Sequence, residues 1–176
     1  VVQAVVIHGQ GWLQGPALSL VLPLFLRISG PDPARGGDLP ARILAKMECC
    51  NPTSVKDRAV LNMIRSAIDQ GKINQETEVV EASSGKTAIA IESLGVVMGY
   101  KTRIFMSELC SVERQQILCA YGVRIVLTPG KEHTKGARER AIQYCKENPA
   151  KTFFLNQHGN ADNGNAHRLT TGPELW

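Results

Sequence analysis

Two polar clusters stand at the starts of apolar helical patterns. The first is Asn51-Pro52-Thr53-Ser54-Val55-Lys56-Asp57-Arg58, where a lysine opens a run with Val55, Ala59, Met63 and Ala67 at helical spacing. The second is Ala82-Ser83-Ser84-Gly85-Lys86-Thr87, a group of hydroxyls and a glycine just before the next helical pattern. A lysine amine becomes a nucleophile for carbonyl carbon when burial lowers its pKa. Hydroxyls and unpaired N–H groups at a helix start can take a carboxylate or a phosphate. A lysine at one helix start facing such a turn at another is the layout of an enzyme that holds an aldehyde as an imine. Gly85-Lys86-Thr87 also invites comparison with a nucleotide phosphate loop. The glycine required five residues earlier is absent, because Val80 stands there. Taken singly, Ser-Ser-Gly is an ordinary helix cap and Lys56 an ordinary surface cation; their meaning comes from what surrounds them.

The elements that must position these residues alternate along the chain. Strands are expected at 42–48, 78–81, 102–106, 123–127 and 152–155. Helices are expected at 54–70, 84–98, 111–121 and 134–147, followed by loop and a weak helix. Ser54 is a candidate N-cap, and Gly71, Gly99 and Gly122 are candidate stops. Alternation at this pitch predicts an α/β fold, a parallel twisted sheet with helices on both faces. Ligands of such sheets bind at the carboxyl ends of the strands. That rule selects the turns at 49–56, 82–87, 107–111 and 156–160.

Composition narrows the function classes. Of the 176 residues, 43% are apolar and 20% charged, with a net charge of +4, the profile of a globular protein with one core or slightly more. Basic residues are scattered among acids rather than gathered with aromatics, so nucleic acid is not the expected partner. The five cysteines, Cys49, Cys50, Cys110, Cys119 and Cys145, form no C-x-x-C pair, and the histidines lack metal-ligand spacing. Reduced thiols and a cytoplasmic location are expected, with no metal. Residues 1–26 are apolar but broken by Gln3, His8, Gln10 and Gln14, so neither a signal peptide nor a membrane span is expected. Residues 29–40 read as a loop. The chain begins with Val1, which suggests processing or a piece of a longer reading frame.

The motifs, taken in order, resemble the cysteine synthases (O-acetylserine sulfhydrylases), fold-type II pyridoxal-phosphate enzymes of the tryptophan-synthase-β-like family. Residues 51–58 resemble their N-P-x-x-S-V-K-D-R motif, and Glu81-Ala82-Ser83-Ser84-Gly85-Lys86-Thr87 their E-x-T-S-G-N-T loop. Ser111-Val112-Glu113-Arg114, Ala120-Tyr121-Gly122, Val126-Leu127-Thr128-Pro129, Asn156-Gln157 and Thr170-Thr171-Gly172-Pro173-Glu174-Leu175-Trp176 follow in the family's order. The match covers residues 41–176, the smaller αβ domain and the lysine-bearing segment, and leaves 1–40 as an atypical N-terminal extension and loop.

The resemblance implies a set of roles. Lys56 matches the lysine that forms the imine with pyridoxal 5'-phosphate and then acts as acid and base at the substrate Cα. Ser83, Ser84, Gly85 and Thr87 match the loop that holds the substrate α-carboxylate, and Gln157 a glutamine that also contacts it. Lys86 stands where the family has an asparagine bonded to the cofactor's 3′-oxygen, and is the cofactor-binding candidate there. The implied reaction is loss of acetate from O-acetylserine followed by addition of sulfide, giving cysteine. Related β-replacements that form cystathionine or cyanoalanine share these motifs, and a non-catalytic fragment of the same fold would retain them too. The implied partners are a small amino-acid substrate, a second copy in a homodimer, and a serine acetyltransferase. Two further departures from the pattern stand out. The segment from Asn51 to Lys56 is one residue shorter than the family motif, and the family's phosphate loop and pyridine-facing serine would fall after Trp176. The 176 residues are therefore expected to form an incomplete cysteine-synthase-like chain that binds the cofactor weakly by itself.

Overall fold

A computed structural model of the chain describes residues 2–6, 24–28 and 43–176. Among the described residues, seven strands form two sheets. In the first, β1 (Val2–Val6), β2 (Leu24–Ile28) and β3 (Ile43–Lys46) pair antiparallel in that order, with Val2 opposite Ile28 and Phe25 opposite Lys46. The second sheet is parallel throughout. Its order is β6 (Arg124–Thr128), β5 (Lys101–Ser107), β4 (Glu78–Ala82) and β7 (Thr152–Phe154). Crossovers are made by α2 (Lys86–Met98), α3 (Val112–Ala120) and α4 (His133–Glu147), while α1 (Lys56–Asp69) leads into β4. The chain closes with α5 (Ala161–Ala166), a π-turn at His167–Thr171 and α6 (Gly172–Leu175).

Side chains alternate between the two faces of the sheet along β4, and both faces are covered. Val79, with Ile104 and Met106 of β5, packs against Met63 and Ile64 of α1 and Ile91 and Leu94 of α2. Val80 and Ala82, with Phe105 of β5, pack on the other face against Ala137 and Ala141 of α4. β4 is buried along its whole length, as a central strand covered on both sides should be. The α/β architecture expected from the alternation is therefore the one observed.

The helix that begins at Lys56 is fixed by side chains at its own entrance. Asp57 accepts from the backbone N–H of Thr53 at 2.9 Å and of Ser54 at 3.1 Å, and also from the Thr53 hydroxyl. The expected cap, Ser54, accepts from the Lys56 N–H at 3.1 Å. Gly71 and Gly99 follow α1 and α2 with φ of 68° and 76°, left-handed conformations that stop a helix without a Cβ clash.

Two features depart from the sequence expectation. The run 1–28 contains strands β1 and β2, which the expected sheet did not include. The turn at 49–56 follows β3 of the antiparallel sheet, so it is not a carboxyl-end turn of the parallel one; the turns at 82–87, 107–111 and 156–160 are. The third helix is shallowly seated, with Leu118 as its one buried residue. The loop expected at 29–40 lies outside the described residues.

A four-membered ion network locks the entrance of α1 to the end of the chain. Arg58 donates from Nε to Glu48 at 2.8 Å and from Nη1 to Glu174 of α6 at 2.7 Å. Lys46 of β3 pairs with Glu48 at 3.1 Å and also with Glu174. Burial would raise the Glu48 carboxyl, but its bonds to Arg58, Lys46 and Asn51 hold it below the ordinary value.

Candidate active site

Of the residues singled out by the sequence, Ser83, Ser84, Gly85 and Thr87 follow the carboxyl end of β4 and Gln157 follows that of β7, whereas Lys56 opens α1. Ser83 leaves the strand with its N–H bonded to the Phe105 carbonyl at 3.1 Å, so the turn starts in register with β5. Ser83 Oγ lies 3.4 Å from the Gly85 N–H. Ser83 is buried, Ser84 and Gly85 are half-buried, and Thr87 is buried in the first turn of α2. The α2 helix starts at Lys86 with no side-chain cap. Its first N–H groups are therefore open to an anionic ligand.

Gln157 comes from the turn after β7, at the neighbouring strand position. The ladder between β4 and β7 continues as far as Leu155, whose N–H reaches the Val80 carbonyl at 3.0 Å. Asn156 then adopts a left-handed φ of 53° and turns the chain. The turn is tight, because a Cβ on Gly159 would lie 2.6 Å from Asn156 Nδ2. Gln157 follows, and its Oε1 accepts from the Thr87 hydroxyl at 2.7 Å. The structure thus joins two residues that the sequence assigned separately to one carboxylate.

Lys56 is the first residue of α1, half-buried, and no side chain among the described residues accepts a hydrogen bond from its ammonium. Nothing described links it to the 83–87 turn beyond the packing of α1 against α2. Lys86 is exposed and likewise bonds to no described side chain. The Asn51 side chain, buried in the turn before Lys56, donates to Glu48 at 2.7 Å and to the Ser54 carbonyl at 3.3 Å, and its Oδ1 has no partner.

Two neighbours carry no role in the sequence reading. Arg114 of α3 donates from Nη1 to the Ser84 carbonyl at 3.0 Å and lines a polar cavity with Ser84, Ser107, Ser111 and His133. Glu81, at the end of β4, is 1% exposed and accepts from the N–H groups of Ala82 at 2.8 Å and Gln157 at 2.9 Å. Burial raises its carboxyl above the ordinary value, against the lowering effect of those N–H groups and of Arg138. The available signal was position: both residues fall inside the motifs quoted above. Among the described residues no cluster of three His, Cys, Asp or Glu could hold a metal ion, and no helix is long and apolar enough to cross a membrane.

The described residues place an open, hydroxyl-rich helix start at the carboxyl end of a parallel sheet, where an anion could bind, and Lys56 at the start of a helix packed against that one. The profile of the family described as pyridoxal-phosphate dependent enzyme matches residues 30–176, and the chain belongs to that family. Its cofactor is pyridoxal phosphate. The chain is 43% identical over 136 residues to cysteine synthase A of Escherichia coli K12, covering 77% of this chain and 42% of that one. It is 40% identical over 135 residues to the cysteine synthase of Buchnera aphidicola from Acyrthosiphon pisum, covering 76% and 43%. The crystal structure of a cysteine synthase from Entamoeba histolytica superimposes with a TM-score of 0.81 at 37% identity, covering 99% of this chain and 52% of that one. The chain spans less than half the length of these curated relatives.

Proposed function

We propose that this chain supplies the lysine and the substrate-carboxylate loop of a pyridoxal-phosphate-dependent β-replacement, in which sulfide takes the place of acetate on O-acetylserine and cysteine is formed. The observation that carries the reading is the Thr87–Gln157 bond at 2.7 Å beside the uncapped start of α2. It brings together the two side chains that the motif resemblance assigns to one α-carboxylate. The similarity to cysteine synthases of two bacteria and a protist supports the choice of reaction.

In this reading Ser83, Ser84, Gly85, Thr87 and Gln157 bind and orient the α-carboxylate. The substrate Cα–H is thereby turned toward the lysine. Lys56, uncommitted at its ammonium, fits the cofactor aldehyde and takes and returns the α-proton at Nζ. Lys86 donates toward the cofactor's 3′-oxygen in place of an asparagine amide. When bound, pyridoxal phosphate supplies the electron sink for charge developing at Cα.

The same reading assigns residues 41–176 to the lysine-bearing segment and smaller domain, and 1–40 to an N-terminal extension. Strand β2 of that extension pairs with β3. A small amino-acid substrate, a cytoplasmic location, a homodimer and docking of a serine acetyltransferase complete it. The test is borohydride reduction of the chain with pyridoxal phosphate, followed by peptide mass spectrometry. Pyridoxyl on Lys56 is expected. Labelling of Lys86 alone, or of neither lysine, overturns the assignment.

A further inference from the structure

Glu81 takes no part in the chemistry above, yet it is enclosed to 1% exposure, and among the described residues it forms no ion pair, Arg138 acting on it from farther away. An isolated carboxylate in such a place is costly unless its oxygens are used. Both are used, and by backbone groups alone: Oε1 by Ala82 N–H at 2.8 Å and Oε2 by Gln157 N–H at 2.9 Å. The position of these bonds is informative. The last backbone contact between the β7 strand and β4 is Leu155 N–H to Val80 O. Asn156 then leaves the extended conformation, and the ladder ends. The Glu81 side chain accepts from Gln157 one step beyond it, in the place of a strand carbonyl. Gln157 is held by its backbone to β4 and by its amide oxygen to Thr87. With Oε1 engaged by the hydroxyl, the donor Nε2 is left for a ligand. The Gln157 carbonyl is also fixed, accepting from Asn163 Nδ2 at 2.8 Å.

We infer that Glu81 is a positioning residue for the substrate α-carboxylate, acting through Gln157 and Thr87 without touching the substrate. The inference rests on the carboxylate reading of the 83–87 turn. Glu81→Gln keeps the shape but sets an amide NH2 against one of the two N–H donors. Glu81→Asp keeps the charge but shortens the reach. Either frees Gln157 to leave Thr87, so carboxylate affinity falls although every ligand-touching group is still present.

The probe is L-alanine, titrated by amide NMR into the 176-residue chain, with L-alaninamide as the control that lacks the carboxylate. In the unsubstituted chain L-alanine is expected to shift the amides of Ser84, Gly85 and Thr87, and alaninamide is not. Glu81→Gln is expected to weaken L-alanine about tenfold or more, the usual penalty when a buried acceptor is lost. Thr87→Val is expected to weaken it as well, and the double variant no further than Thr87→Val alone. Failure of the unsubstituted chain to respond to L-alanine overturns the carboxylate reading itself. Unchanged affinity in a folded Glu81→Gln or Glu81→Asp chain, or additive losses in the double variant, overturns the role of Glu81 and leaves that reading standing. A variant-free measurement covers the case in which the substitutions unfold the chain. The Ala82 and Gln157 amides and the L-alanine affinity should share one pH midpoint, and separate midpoints overturn the inference. The charged and titratable groups acting on Glu81 in that titration are Arg138 and Cys145, both on α4.

Discussion

Arg58 and Glu174 stand 116 positions apart in the sequence and meet at 2.7 Å, one at the entrance of the lysine-bearing helix and the other in the last turn of the chain. The Arg58 side chain is 2% exposed, so it depends on its two carboxylate partners rather than on water. Glu174→Gln removes one of the two charges facing it and leaves Glu48 in place. The expected loss is about 1–3 kcal/mol of unfolding free energy, the scale of a buried charged group left partly unpaired. Urea unfolding midpoints measure it, and an unchanged midpoint would show that Glu48 alone suffices.

Glu92 gives the chain a pH dependence in the opposite sense to ordinary acid unfolding. It is 2% exposed on α2, accepts from the Thr102 hydroxyl at 2.6 Å, and its other oxygen has no partner. Burial raises its pKa from 4.5 to about 7, against the lowering effect of the Thr102 bond. The folded state therefore keeps a proton that the unfolded chain releases. The stabilisation is complete below about 4.5, declines as pH rises, and is gone above about 7. The fall is on the order of 3 kcal/mol across that window. Glu92→Gln, neutral at every pH and able to accept from Thr102, is expected to flatten the profile of unfolding midpoint against pH. A variant as pH-dependent as the parent would locate the effect elsewhere.

Lys86 separates fold from cofactor chemistry. Its side chain is exposed and bonds to no described side chain, so Lys86→Asn is expected to change stability by less than about 0.5 kcal/mol. The same substitution restores a short amide donor at the helix start, and pyridoxal phosphate affinity is expected to rise. Thermal unfolding and equilibrium titration of the cofactor read the two effects separately. Loss of affinity would show that the ammonium itself holds the cofactor.

The isolated 176 residues are expected to bind pyridoxal phosphate weakly. The described site offers an amine and an anion-binding turn, whereas the chain spans 42% of the length of the bacterial cysteine synthase A. In the reading proposed above, the main phosphate anchor would lie in the remainder. The measurement is the imine absorbance band after gel filtration with the cofactor. A stable yellow complex would contradict the expectation.

The sequence disclosed the parallel sheet because each βα unit carries its own local signals: β-branched runs, apolar helical spacing and terminal glycines such as Gly99. It marked Thr87 and Gln157 as candidates through motif order, although their mutual bond depends on β4 and β7 being neighbours, which no local pattern encodes. Strands β1 and β2 escaped because an apolar run interrupted by polar residues has no clear period. The contacts of Glu81 and Arg58 escaped for another reason. Each is one charged residue in a short motif, and its meaning lies in a partner 76 or 116 positions away.

The strand order β6-β5-β4-β7 also has a consequence for synthesis. Glu81 and the hydroxyl turn leave the ribosome long before Gln157, because β4 pairs with β7 and the two crossing bonds span 76 and 70 positions. Long-range parallel pairing is slow, because loop closure precedes any contact that rewards it. Until β7 arrives, one edge of β4 and the buried side of Glu81 are open to water or to other chains. The Thr87–Gln157 pairing is therefore a late product of folding, and until it forms β4 is an edge strand paired with β5 alone.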